Sequence, residues 1–342
     1  MLPMTEPGTP TNDNTALIPR ISFAGPVLTF DFPSLRIGVA EYDEGPTGCT
    51  VFAFAERAYA AADIRGGSYG TLYTSQLRSG DRWINAICLA GGSFYGLEAA
   101  MGVAAEILAM RNYSSQWEDI ARVAGAVIYD SIPRDNLIYP DKTLGRAAMA
   151  ATRQGVFPLG ARGAGRSATV GKVLGHRWES AGQGAAFAQI GATRIAVFTV
   201  VNAVGAIVDR AGRVVRGFTD PDTGTRHSVM AEIARFARQG SAAHQGNAAT
   251  DARPLLKPAS GNTTLTVVVT NQKLTAFELR RLAKQTHTSM ARAIQPFHTV
   301  YDGDVLYAVT TNEVENPDVN MMTLPVVASE LAWDAVLSSV PA

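Results

Sequence analysis

Cysteine is nearly absent. Cys49 and Cys88 are the only two in 342 residues, they form no CxxC, and no histidine clusters with them. That excludes a disulfide framework and a structural zinc site, and the chain reads as intracellular, with the cytoplasm its expected location. An excess of one charge is missing too: thirty Lys+Arg stand against thirty Asp+Glu, for a formal net charge of +0. No footprint is left for nucleic acid or an anionic membrane surface, so neither is expected as a partner. The longest nearly apolar run, Ile195 to Val208, is interrupted by Thr199 and Asn202 and is too short to cross a bilayer. The first residues lack the basic start and apolar run of a secretory signal, and 1–26 reads as a flexible tail. What remains is 46% hydrophobic, enough to bury the core of one large domain over 27–342.

Strand and helix patterns alternate without βαβ regularity. Val27 to Phe32, Leu35 to Glu41 and Thr50 to Ala55 predict an antiparallel β opening around a GPTG turn. Trp83 to Leu89 is a further strand, ending in Gly91-Gly92-Ser93. A helix follows, its apolar spacing predicting a buried face of Leu97, Met101, Ala104, Ala105 and Leu108. Ala126 to Tyr129 is a short apolar run, and Thr143 to Thr152 has helical composition. Ala185 to Ile190, Arg194 to Val201 and Ala206 to Val208 read as strands, the last turning at Asp209-Arg210-Ala211-Gly212 into Val214-Val215. Gln239 to Gly261, built largely of small and polar residues, predicts an exposed pliable connection. Thr263 to Thr270 is β-branched almost throughout, as a buried strand requires. Thr275 and Glu278 form a capping box, opening a helix with Leu279, Leu282, Ala283, Met290, Ala293 and Ile294 on one face that stops near Pro296. Val305 to Val309 and an amphipathic helix over Leu324 to Leu337 close the chain. Sheets covered by helices are the economical solution for such a mixture.

Several motifs fail on inspection. Gly165 and Gly171-Lys172 resemble a phosphate loop, but the glycine spacing is one too long and Val173 replaces the magnesium-binding hydroxyl. Ala168 stands where a dinucleotide fingerprint needs its third glycine. A nucleotide-binding or non-catalytic protein on a similar scaffold is thereby disfavoured, and the loop reads as one that lets Lys172 approach a site. Gly91 to Gly96 has the setting of a nucleophile elbow, yet Tyr95 occupies the required glycine position, so a structural turn is expected. His287 has alanine four residues away on either side, and His298 follows a Pro-Phe turn; both read as structural, and no metal is expected.

One junction is chemically suggestive. At Gly261-Asn262-Thr263-Thr264 a polar linker meets a buried strand, which is where a hydroxyl nucleophile preceded by a strainable peptide bond could sit. Attack of the Thr263 hydroxyl on the Asn262 carbonyl would give an ester that water hydrolyses, freeing the Thr263 amine. That amine, with an ordinary pKa of about 7.7–8.0, can serve as base for the hydroxyl of the same residue. Asp302-Gly303-Asp304 precedes a strand, and residues two apart in extended chain share a face, so both carboxylates could converge on one site.

The blocks FDFPSLRIGVAEYDEGPTG (30–48), NAICLAGGSFYGLEA (85–99), AVIYD (126–130), YPDKTLGRAA (139–148), SATVGKV (167–173), VGAIVDRAGRVVRG (204–217) and GNTTLTVVVTN (261–271), with DGD (302–304), carry a resemblance. The sequence resembles the DmpA-type family of self-cleaving aminopeptidases and amidases, over about Leu28 to Leu337, and within it the 6-aminohexanoate oligomer hydrolases. The resemblance implies an α+β fold, a four-layer αββα sandwich, and a precursor cut between Asn262 and Thr263. The products would be an α chain, 1–262, and a β chain, 263–342, that stay associated and assemble as a tetramer of αβ units. It assigns Thr263 as nucleophile, Lys172 as the active-site lysine, Asn202 as oxyanion donor, Tyr129 as its neighbour, and Asp302 and Asp304 as the acidic pair. Lys172 as a cation would keep the Thr263 amine neutral. No cofactor is implied. Many aminopeptidase members of the family have glycine and serine at the cut and serine and glutamate at the acidic pair. Asn262, Thr263, Asp302 and Asp304 therefore lean toward hydrolysis of internal amide bonds in small amide oligomers. An aminopeptidase for small, D- or β-amino N-terminal residues is the alternative.

Overall fold

Alternating apolar residues form the strands that dominate the fold. The structure, a computed structural model, describes residues 8–173, 178–220, 223–234, 261–316 and 318–340. The principal sheet contains β1 (Leu35–Tyr42), β2 (Thr47–Ile64), β3 (Thr71–Leu72), β4 (Arg82–Ala90), β5 (Val123–Val127), β6 (Arg153–Gln154), β7 (Gln183–Ile190), β8 (Thr193–Asn202), β9 (Thr263–Gln272) and β10 (Val305–Val314). Its order is β7-β8-β9-β10-β2-β4-β5-β3, with β1 on β2 and β6 on β1. The β9–β10 and β4–β5 pairs are parallel. Helices α1 (Glu98–Met110), α2 (Lys142–Ala150), α3 (Ala276–Ser289) and α4 (Leu324–Ser338) cover it.

Strand β2 turns this one sheet into two layers. Its first half pairs with β1 and its second half with β10, and its register on β4 shifts between Ala53 and Ala58. Such an irregularity bends a strand, so the sheet folds over on itself. Period-two alternation then fills three cores. Phe52, Phe198, Val267 and Tyr307 pack in the middle, the Phe52 and Phe198 rings 5.1 Å apart. Val51 and Cys88 face α1 and α2 through Val103 and Leu144. Val197, Val268 and Leu306 face α3 and α4 through Leu279, Leu282 and Val336. This is the four-layer αββα sandwich that the resemblance implies.

Local expectations fare unevenly. The capping box at Thr275 and Glu278 is present, and Asp209 N–H closes the expected hairpin on the Arg213 carbonyl at 2.9 Å. Helix α3 ends at Ser289 rather than near Pro296, because Ile294 pairs with Ile207 as a strand. The first expected strand is shortened to Val27–Thr29, and Phe30 and Phe32 turn into the middle core.

The buried face of α1 also differs from expectation: Ala99, Ala100, Gly102, Val103 and Ile107 are inside, whereas Met101 and Leu108 are exposed. Helices α1 and α2 approach so closely that a Cβ on Gly145 would lie 2.0 Å from the Ala99 carbonyl oxygen, which only small residues permit. The stretch Ser93–Met110 is long and apolar enough to cross a membrane by length and composition, but here it lies on the sheet as a short turn and α1.

The described part of the stretch read as a flexible tail, 8–26, is tied down. Asn12 and Tyr139 exchange two hydrogen bonds, of 3.0 and 2.9 Å, and Arg20 pairs with buried Glu41 at 2.6 Å. The linker expected over Gln239 to Gly261 lies outside the described residues except for Gly261.

Candidate active site

Thr263 opens β9 in the middle of a sheet layer, opposite Asn202 at the end of β8. The preceding Asn262 bridges Asp302 in parallel fashion, so the junction is held from both sides. Thr263 is 4% exposed, and Asn262, Lys172, Asn202, Asp302 and Asp304 are fully buried. The Thr263 hydroxyl donates to the Asn262 carbonyl oxygen at 2.5 Å. The same oxygen accepts the Gly303 N–H at 2.7 Å. Two donors thus converge on the carbonyl just before the hydroxyl.

The acidic residues grip main chain on either side of that carbonyl. Asp304 Oδ1 accepts the Thr264 N–H at 2.7 Å, and its Oδ2 accepts the His298 backbone N–H at 3.1 Å and Nδ1–H at 3.0 Å. Asp302 accepts the Val204 N–H at 3.1 Å and both the N–H and hydroxyl of Thr299. Neither carboxylate receives the Thr263 hydroxyl; the pair fixes the loops that frame it. Burial and the neighbouring Asp304 charge push the Asp302 carboxyl above the ordinary carboxylate range.

Lys172 enters from the loop that the sequence marked as an approach to a site. Its backbone N–H bonds the Val204 carbonyl at 2.8 Å, and its Nζ donates to Asn202 Oδ1 at 2.9 Å and the Asn202 carbonyl at 3.1 Å. Burial pushes the ammonium down to about 7, against the opposing attraction of Asp302. The fixed cation expected from sequence is therefore a group that exchanges its proton near neutrality, because a charge so buried loses its hydration.

Asn202 points at main chain beside the junction rather than at the Asn262 carbonyl. Its Nδ2 donates to the Tyr129 carbonyl at 2.9 Å and the Gly261 carbonyl at 3.3 Å, one residue short of the Asn262 carbonyl. Gly303 supplies the donor there instead. Tyr129 is half-buried, and its ring lies against Gly261, where a Cβ would come within 2.5 Å of it. All six residues singled out from sequence are thus gathered around the Gly261–Thr263 segment. Sequence reasoning missed the Gly303 amide and His298. The first is main chain and carries no side-chain signal. The second follows the Pro-Phe turn and was read as structural.

The Gly91–Ser93 turn is structural, as expected: Gly92 N–H donates to Asp130 Oδ1 at 2.9 Å. Among the described residues no group of three or more His, Cys, Asp or Glu side chains could hold a metal ion.

A folded-over sheet between helical layers, with a hydroxyl residue opening a central strand, is the architecture of an N-terminal-nucleophile hydrolase. The solved L-aminopeptidase D-Ala-esterase/amidase from Ochrobactrum anthropi, described as a variant of the Ntn hydrolase fold, matches with a TM-score of 0.64. The match covers 93% of this chain and 88% of that one at 14% identity. The pattern of Peptidase family S58 matches residues 28–341, and the chain belongs to that family of hydrolases. Two relatives named 6-aminohexanoate-oligomer endohydrolase, from Agromyces sp. (strain KY5R) and Paenarthrobacter ureafaciens, are each 45% identical over 342 residues. Both alignments span 97% of this chain and 91% of the relative.

Proposed function

We propose that this hydrolase is made as a precursor, cuts itself before Thr263, and then cleaves internal amide bonds of 6-aminohexanoate oligomers through an acyl-enzyme on that threonine. The observation that carries the processing step is the Thr263 hydroxyl lying on the carbonyl of its own preceding residue, with the Gly303 N–H on the same oxygen. The Thr263 Oγ–carbonyl carbon bond forms and the Asn262–Thr263 C–N bond breaks. The hydroxyl proton passes to Lys172 and returns to the departing nitrogen. Water then hydrolyses the ester to the Asn262 carboxylate and the Thr263 hydroxyl. Oligomer hydrolysis repeats the sequence on a substrate amide, with the freed α-amine now available as base.

Removal of the Gly261–Asn262 end would release two donors, Gly303 N–H and Asn202 Nδ2, for a substrate oxyanion. Such preorganised donors are each worth about 2.7–4 kcal/mol in acyl transfer. The two chains stay together because β9 is bonded to β8 on one side and β10 to β2, so both strands of the small fragment remain in ladders with the large one. Tetramerisation of αβ units is part of the proposal and is checked by the mass of the processed protein in solution.

The Asn262–Thr263 junction with an aspartate pair, and the 45% identity to two oligomer endohydrolases, support the substrate class. The test is digestion of 6-aminohexanoate oligomers with free and with capped amino ends. An endohydrolase releases internal fragments from both. Inert capped oligomers beside cleaved free-ended dipeptides would replace this reading with an aminopeptidase.

A further inference from the structure

Two histidines without an obvious duty in the sequence lie in line beside the site. His287, buried on α3, has Nδ1 2.9 Å from Asp63 Oδ2 near the end of β2. His298, on the loop before β10, has Nδ1 3.0 Å from Asp304 Oδ2. The two imidazoles meet edge to face, their centroids 4.4 Å apart at 82°. An ionised carboxylate only accepts, so each Nδ1 carries the proton. Neither Nε2 has a partner among the described residues. Burial pushes the His287 imidazole below its ordinary value, against the opposing hydrogen bond to Asp63.

We infer that His298 is a positioning residue for the hydrolase site, fixing Asp304 so that its other oxygen holds the Thr264 N–H, with Asp63–His287 bracing the His298 ring from behind. The inference rests on Thr263 being the nucleophile. Asp304 Oδ2 receives two donors, both from His298, and Oδ1 receives the Thr264 amide. Without the imidazole donor the carboxylate keeps one main-chain bond on that oxygen, while the adjacent Asp302 repels it. The Thr264 peptide follows the nucleophile directly, so a turn of the carboxylate moves the anchor of the Thr263 backbone. The backbone at His298 has φ +60, a region in which side-chain-bearing residues are strained. Such strain at a site is a reason to look for a duty of the side chain.

Asparagine and glycine separate the ring's donor from the backbone's shape. His298→Asn suits the left-handed backbone and keeps an N–H near the Nδ1 position, whereas His298→Gly suits the backbone better still and removes the donor. The inference expects His298→Asn within about threefold of the parent in processing rate and kcat, and His298→Gly slower by about tenfold or more with KM little changed. A purely structural role would leave glycine at least as fast as asparagine.

Hydrogen exchange of the Thr264 amide, followed in a Thr263→Ala background, reads the anchor without any chemistry and should quicken when His298→Gly is added. A Thr263→Ala chain that is still cut would remove the nucleophile, and the exchange rate would decide the positioning role by itself. Should the glycine variant not fold, His298→Asp tolerates the same backbone and sets a like charge against Asp304, and slow processing is again expected. Parental processing by His298→Gly, or by His298→Asp in its place, with parental Thr264 exchange overturns the inference.

Discussion

Two glycine turns at strand ends use one physical device for different purposes. After β4, the Gly92 N–H donates to Asp130, which is held in turn by Thr47 and by the buried guanidinium of Arg134 at 2.8 Å. Before β10, the Gly303 N–H donates to the Asn262 carbonyl, the group proposed to be cut. A buried amide needs a partner in both cases. In the first the partner is permanent, and the turn is finished structure. In the second the partner is a chain end that leaves, and the amide becomes available to the next carbonyl that arrives. Active and structural turns differ here in the permanence of the acceptor, not in their sequence style.

The comparison breaks most visibly by adding a methyl group to each turn. A Cβ on Gly303 would lie 2.6 Å from Thr263 Oγ1 and 2.5 Å from the Ser68 carbonyl oxygen, so Gly303→Ala should stay one chain by gel. Gly92→Ala meets Tyr139 Cβ at 2.7 Å on a backbone with φ +77, and should melt lower, by about 1–3 kcal/mol of stability, yet still process. Normal cutting by Gly303→Ala would end the distinction.

A smaller effect separates the two oxyanion donors. Asn202→Ala should lower oligomer turnover by roughly 10²–10³-fold. It should slow processing less, because Asn202 Nδ2 faces Gly261 rather than the bond being cut. Equal losses in processing and turnover would place Asn202 on the precursor carbonyl as well.

The pH dependence is gentler. With Lys172 lowered to about 7, its free amine is lost as pH falls, so processing should drop about tenfold per unit below 7 and level above it. Stability moves with it. The folded pKa lies below the unfolded 10.5, the unfolded chain binds the extra proton between about 7 and 10.5, and stability rises with pH across that window. Lys172→Met should remove this component of the slope in denaturant midpoints measured at pH 7 and 9. An unchanged slope would mean the ammonium stays charged inside.

Much of this was legible because the decisive residues carry strong local signals. Thr263 to Thr270 could be little other than a buried strand, and Thr275 with Glu278 marks its helix start. The resemblance assigned all six side chains that the fold brings together, five of them inside its quoted blocks and Asn202 just before one. What escaped is what packing decides. The inner face of α1 is chosen by how near α2 can come, so alanine and glycine win over Met101 and Leu108. The described part of the N-terminal stretch is ordered by partners more than a hundred residues away, such as Tyr139 for Asn12. The Gly303 amide is invisible in a sequence because every residue but proline has one. The proton lability of Lys172 follows from burial, which spacing does not report.

The central claim is that Thr263 attacks its own preceding carbonyl, and the intact mass of purified protein tests it most directly. Wild type should resolve into 1–262 and 263–342, about 28 and about 8 kDa by their shares of 36.2 kDa, the smaller beginning with threonine, while Thr263→Ala remains whole. A wild-type chain that stays in one piece after prolonged incubation, or a Thr263→Ala chain that yields the same two fragments, would contradict it.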